Sequence, residues 1–134
     1  MANNKVIHES GKRKSAIARA TIKPGKGVFI VNNKLIDIVE PKMAKMRILE
    51  PIILAGDQTK KFNITVKVKG GGTSSQADAA RLAIAKALSK QDTTLREKYL
   101  DYDRQLLVAD VRFKETRKPN SQGKARAKRQ KSYR

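Results

Sequence analysis

The sequence predicts an α+β fold: a mixed β-sheet with helices packed on one face, followed by an extended basic C-terminal tail. Three observations carry this. Apolar and polar residues alternate with the two-residue period of half-buried strands in "SAIARATIKPG" and "FNITVKVKG". The stretch "SSQADAARLAIAKALSKQ" instead repeats its apolar residues at helical spacing. Periodic apolar patterning then stops near Arg112, which divides the chain into a body of residues 1–111 and a tail of residues 112–134.

Taken in order, "KVIHESG" supplies the first strand. In "SAIARATIKPG", Ala16, Ala18, Ala20 and Ile22 form one face while Ile17, Arg19, Thr21 and Lys23 form the other, and the small residues would let a helix approach closely. After the turn "KPGKG", "VFIVNN" returns as the next strand. "PKMAKMRILEP" opens a helix at Pro41, suited to a first helical turn, and is expected to stop before Pro51. "FNITVKVKG" turns Phe62, Ile64, Val66 and Val68 to the core. The main helix carries Ala77, Ala80, Ile84, Ala87 and Leu88 on one stripe, with Ser74 or Ser75 as its N-cap. A shorter helix begins after Asp92 and carries Leu95, Tyr99 and Tyr102 along one side. Packing these helices on one sheet face leaves the other polar and basic. Strand order is not readable from these patterns.

Composition narrows the partner. The chain has 134 residues and a net charge of +19, from 31 Lys and Arg against 12 Asp and Glu. That imbalance points to a polyanion: RNA, DNA or an acidic membrane surface. Insertion into a membrane is not expected, because no apolar run approaches the roughly 20 residues a span requires. The start "MANNKVIHES" lacks a signal-peptide core, which favours a cytoplasmic protein. Without cysteine there is no disulfide framework and no thiolate zinc site, and His8, the one histidine, has no motif partner. No metal, cofactor or small-molecule substrate is expected.

Three stretches could carry chemistry. In "GKRKSAIAR", Lys12, Arg13 and Lys14 crowd a turn before a strand that projects Arg19, a set suited to phosphate contacts. In "VKGGGTSSQADAA", Lys69 ends a strand and Gly70, Gly71 and Gly72 precede a helix. Glycines there let backbone approach a phosphate closely, or simply let the helix pack on the sheet. The loop lacks the lysine and hydroxyl that close a Walker motif, and looks instead like the glycine-serine loop of kinases resembling galactokinase and homoserine kinase. The tail is the third stretch. It holds Arg112, Lys114, Arg117, Lys118, Lys124, Arg126, Lys128, Arg129, Lys131 and Arg134 against Glu115 alone, so that +9 of the charge lies in 23 residues and +10 remains for the body. From Arg117 onward it has no acid and no aliphatic side chain larger than alanine, too little to fold alone.

Together, "GKRKSAIARATIKPGKG", "KGGGTSSQADAARLAIAKAL", "YDRQLLVADVRFKE" and "GKARAKRQKSYR" resemble, in order and spacing, the family of the universal ninth protein of the small ribosomal subunit. The resemblance covers nearly the whole chain. The ending "QKSYR" looks like the archaeal and eukaryotic branch, archaeal above all, where bacterial members typically close with Ser-Lys-Arg. The resemblance implies a sheet with a left-handed βαβ crossover, like the second domain of the fifth small-subunit protein, and so accounts for the glycine-serine loop without catalysis. It implies no enzyme but a structural constituent of the subunit head, bound to small-subunit rRNA and to neighbouring head proteins, whose tail reaches the anticodon stem-loop of peptidyl-site tRNA.

The residues expected on rRNA are Lys12, Arg13, Lys14, Arg19, Lys69, Gly70, Gly71 and the tail bases from Arg112 to Arg129; Lys131, Tyr133 and Arg134 are expected at the tRNA. Tyr133 could stack on a base or donate its hydroxyl to backbone. Arg134 has its own carboxylate offsetting its charge, so it serves better as a directional fork on a phosphate than as a counterion. Two rivals come from other classes. An architectural DNA-binding protein is also small, basic and tailed, but gives no reason for a fixed Ser-Tyr-Arg ending. An enzyme related to those kinases would require a nucleotide pocket, for which the body is short and offers no evident base.

Overall fold

The computed structural model describes residues 5–128 and 132–134. Strand β1 (Ile7–Arg13) pairs antiparallel with β2 (Ala16–Pro24), and β2 pairs antiparallel with a later strand, β5 (Phe62–Lys69). Between them the chain makes two short strands, β3 (Phe29–Val31) and β4 (Lys34–Leu35). Their connection is Asn32-Asn33, both at positive φ (47° and 64°), the conformation a two-residue hairpin turn demands and asparagine tolerates. β3 runs parallel to β5, giving a mixed five-stranded sheet of order β1-β2-β5-β3-β4.

Helix α1 (Lys42–Ala55) lies in the crossover from β3 to β5; α2 (Thr73–Gln91) and α3 (Thr93–Tyr102) follow β5. The core is built from small residues meeting small residues. Ala16, Ala18 and Ala20 of β2 and Ala79, Ala80 and Ala83 of α2 are essentially inaccessible. A Cβ placed on Gly11 of β1 would lie 2.3 Å from the Ala79 carbonyl oxygen and 2.7 Å from the Ala83 amide. Helix and edge strand therefore touch backbone to backbone, a separation that only glycine permits there.

Two expectations are corrected. α1 does not stop before Pro51 but runs through it to Ala55. Proline removes one helical hydrogen bond and costs about 3 kcal/mol in a helix interior. Here Ile48, Pro51, Ile52 and Ala55 form one buried stripe across it, and the buried Tyr99 hydroxyl donates to the Pro51 carbonyl at 2.7 Å. Neither Ser74 nor Ser75 caps α2. The cap is Gly72, whose carbonyl accepts from the Gln76 amide at 2.9 Å, while the Gln76 side chain reaches back to the Gly70 carbonyl. The side of α3 carrying Leu95, Tyr99 and Tyr102 is as expected: Leu95 and Tyr99 are buried, and Tyr102, 55% exposed, also reaches α1, donating to Glu50 at 2.7 Å.

Candidate nucleic-acid interface

Strand alternation sorts charges between two faces. Toward the helices β1, β2 and β5 send Ile7, Gly11, Ala16, Ala18, Ala20, Ile22, Ile64, Val66 and Val68, all buried. The residues that alternate with these make an open face in three cross-strand rows, Lys12–Ile17–Lys69, Ser10–Arg19–Lys67 and His8–Thr21–Thr65, with Lys23 opposite Asn63 beyond them, while Glu9 and Arg13 stay on the helix side. Lys12, Arg19, Lys23, Lys67 and Lys69 are exposed, and these strands place no acid on this face. Among the described residues none of the five makes an ion pair. Neighbouring strands lie about 4.8 Å apart, so like charges in adjacent rows repel in the free protein and gain when phosphates intervene.

The helix side treats its arginines differently. Arg13, expected beside Lys12 and Lys14 in a turn, ends β1 with its side chain on the helix face, 18% exposed, 3.0 Å from Asp110 and 3.9 Å from Asp78. Arg47 of α1 also pairs with Asp78, at 2.8 Å, and Arg81 of α2 lies between Glu50 at 2.5 Å and Asp103 at 3.1 Å. These cations are already neutralised. The polar groove they line, which also takes in Ser74, Gln105, Arg112 and, at its edge, Lys12, has acids beside its bases. The three-residue basic cluster is thus split: Lys12 is on the open face, Arg13 is paired behind it, and only Lys14, at φ 52°, occupies the turn.

The glycine loop packs against that same turn. Gly70 and Gly71 have φ of 78° and 65°, and a Cβ on Gly70 would lie 2.6 Å from the Ser15 carbonyl oxygen. Close packing alone therefore accounts for Gly70. Lys12, Lys14, Lys69 and the loop share one end of the sheet, and the tail leaves beside them: Lys12 Nζ lies 5.1 Å from the centre of the Phe113 ring.

Among the described tail residues there is no helix or strand from Arg112 to Lys128, and Lys114, Arg117, Lys118, Lys124 and Lys128 are exposed. The path is not extended throughout. Glu115 accepts from Arg126 Nη2 at 2.5 Å and Nε at 3.0 Å, and the Lys118 amide donates to the Lys124 carbonyl, closing a loop. The sole acid of the tail finds a guanidinium within its own chain, whose hydrogen bonds hold its carboxyl below the usual range. Arg112 is likewise engaged, by Asp110 at 2.7 Å. Tyr133 and Arg134 are exposed; Arg129 and Lys131 lie outside the described residues. Sequence reasoning did not single out Lys23 and Lys67 as site residues, although the alternation that predicted their strands already placed them on the polar face. It also missed Asp78 and Asp110, because nothing in linear spacing pairs them with Arg13.

Among the described residues no helix is long and apolar enough to cross a membrane, and no group of His, Cys, Asp and Glu could hold a metal ion. Comparison with known proteins gives one consistent answer. The model of a family described as ribosomal protein S9/S16 matches residues 11–134. The chain is 50% identical over 135 aligned residues to the small ribosomal subunit protein uS9 of Methanococcus maripaludis strain S2, covering 97% of this chain and 99% of that protein. It is equally similar, 50% over 133 residues, to the protein of that name from Methanococcus vannielii, with the same coverage of each chain. The chain belongs to the ribosomal protein S9/S16 family, on its archaeal-type branch.

Proposed function

We propose that this chain is a structural constituent of the small ribosomal subunit, without catalytic activity, that binds small-subunit rRNA through the open sheet face and the tail. The observation that carries the reading is the sorting of charge. Lys12, Arg19, Lys23, Lys67 and Lys69 are exposed and unpaired among the described residues, and their strands add no acid to that face, whereas Arg13, Arg47 and Arg81 on the helix side are paired. A cation already matched by a carboxylate releases no counterion on meeting phosphate; an unmatched one does. Arg13 accordingly leaves the expected contact set and Lys23 and Lys67 join it.

The finer assignments belong to the same proposal and rest on the family resemblance. They are a place in the subunit head beside other head proteins, a division of labour between residues 1–111 and 112–134, and the left-handed sense of the crossover from β3 through α1 to β5. The tail bases Lys114, Arg117, Lys118, Lys124, Arg126, Lys128 and Arg129 follow rRNA, while Lys131, Tyr133 and Arg134 reach peptidyl-site tRNA. Opening the Glu115–Arg126 loop would let the tail extend along phosphates.

Co-sedimentation with small subunits after a high-salt wash tests the reading. The wild-type chain should remain with the subunits, and a variant with Lys12, Arg19, Lys67 and Lys69 changed to alanine should be washed off at lower salt. Retention of that variant at wild-type salt would remove the open face from the interface. Saturable nucleotide binding by the isolated chain would instead revive the enzyme reading.

A further inference from the structure

The root of the tail is held at the end of the edge strand by two contacts. On the helix side Asp110, whose side chain is only 13% exposed, accepts from the Arg112 backbone amide at 3.0 Å, from Arg112 Nη2 at 2.7 Å, and from Nε at 3.1 Å to either oxygen. The same carboxylate lies 3.0 Å from Arg13 Nη1. Arg13 leads on to Asp78 of α2, and Asp78 to Arg47 of α1, so charges alternate in sign from α1 across the helix layer to the first base of the tail. At the same end of β1 the Nζ of Lys12, the neighbour of Arg13, lies over the ring of the next tail residue, Phe113. Two successive tail residues, Arg112 through Asp110 and Phe113 through Lys12, thus engage the end of β1.

We infer that Asp110 is a positioning residue for RNA binding: it clamps the root of the tail to the end of β1, so that the tail bases leave the body in one direction, continuous with the open face. The inference rests on the reading that body and tail engage one RNA. It explains why a half-buried acid stands at the root of a polycation. By charge alone Asp110 opposes binding, and removing it should tighten the hold on any polyanion. A clamp predicts the opposite for a shaped RNA site, because a tail free to swing must be ordered again on binding.

The chain has no cysteine, so nitroxide labels placed at Lys98→Cys on α3 and Lys114→Cys in the tail are unique, and their separation can be read by pulsed electron resonance. The wild-type background should show one dominant distance. Asp110→Asn should raise the population outside it about tenfold, the scale set by a lost charge-assisted hydrogen bond. Asp110→Glu should restore most of the ordering. Asp110→Asn leaves Arg13 with Asp78 alone, at 3.9 Å, and will lower the melting temperature of the body, so the distances are read well below the transition, where a merely structural loss would leave the dominant distance unchanged. Arg112→Lys keeps the Asp110–Arg13 pair but loses the planar fork, and provides the same reading if the Asn variant folds poorly.

In the functional arm, full-length Asp110→Asn should bind small-subunit rRNA several-fold more weakly, yet bind a homopolymeric RNA at least as tightly as wild type. An unchanged distance distribution in both variants would overturn the clamp. Broadening accompanied by tighter binding to both RNAs would overturn its positioning role. Wild-type protein that fails to prefer rRNA over the homopolymer would sink the functional reading instead, while the label distances still report whether the clamp exists.

Discussion

The division of charge between the two faces can be tested by perturbing each alone. Replacing Lys12, Arg19, Lys67 and Lys69 with alanine removes four exposed side chains that make no ion pair among the described residues. Surface changes of this kind fall within about 0.5 kcal/mol each. Because Arg19 stands directly opposite Lys67 in the β2–β5 register, losing that pair also relieves repulsion, so the melting temperature should hold or rise slightly. If all four contact phosphate, the slope of log affinity against log salt should flatten by about 3, at roughly 0.7 to 0.9 per contact. Arg13→Ala is the reverse case. It removes a partly buried guanidinium and leaves Asp110 and Asp78 short of a partner, so it should cost about 1 to 3 kcal/mol of stability. In a domain of this size that is roughly 5 to 20 °C of melting temperature, while the salt slope should move by less than about one contact's worth. Thermal unfolding and filter binding to a small-subunit rRNA fragment across a salt series give both quantities for each variant. A quadruple variant that melts well below wild type, or an Arg13→Ala variant that flattens the slope and melts normally, would refute the reasoning.

Three further outcomes are expected. Tyr99→Phe deletes a buried donor to the Pro51 carbonyl and should cost about 1 to 2 kcal/mol in chemical denaturation. Burial pushes the Tyr99 phenol well above its ordinary 10.0; a raised folded-state value gives stability that is complete below pH 10 and lost as pH rises beyond it, so Tyr99→Phe should flatten the alkaline decline. Gly11→Ala forces a methyl group against the Ala79 carbonyl and the Ala83 amide and should destabilise by about 1 to 3 kcal/mol or more, without altering the salt slope of whatever protein remains folded. Deleting Arg134 should leave assembly into subunits nearly intact but weaken peptidyl-site tRNA binding by about 1 to 3 kcal/mol, with Arg134→Lys recovering only part; wild-type filter binding by the deletion would end the case for a terminal contact.

What could be read from the sequence was what depends on local period. Alternation in β2 and β5 fixed which residues face the helices, and the alanine-rich pattern of α2 marked its buried stripe. Tertiary contacts overruled the local rules elsewhere. A proline ends a helix when nothing compensates for the missing amide, but Ile48, Ile52 and Ala55 flank Pro51 on one buried stripe, and that spacing was visible across the proline. Ser74 and Ser75 are favourable caps in isolation, yet Gly72 takes the position because the left-handed Gly70 and Gly71 bring the chain in tight against Ser15 and Ala16. Strand order, and with it the parallel β3–β5 pair, depends on a crossover whose path no local pattern encodes. The clearest failure at the site was Arg13. Adjacency in sequence grouped it with Lys12 and Lys14, whereas a strand sends consecutive residues to opposite faces.

That alternation has a consequence for the charge as a whole. Acids are scarce in this chain, and the fold spends them behind the sheet or along the loops: Glu9 on Lys90, Glu50 and Asp103 on Arg81, Asp78 and Asp110 on Arg13. Had they been scattered evenly, some of the open-face bases would have had a carboxylate within reach and the field over this face would have been weaker. Instead the five open-face bases sit on three adjacent strands spaced about 4.8 Å apart, mostly within a screening length of about 8 Å at physiological salt, so they act on a phosphate chain as one field. The field has a direction, because the sheet is one layer thick, its other side is covered by helices, and Arg13, Arg47 and Arg81 there are matched by acids. A polyanion is therefore drawn to one face of the body, and the tail root at Asp110 and Phe113 lies at the edge of that same face. If the proposed rRNA contact holds, scrambling the tail while keeping its charge should preserve attraction but lose this registration, so affinity for a shaped rRNA site should fall although the net charge is unchanged.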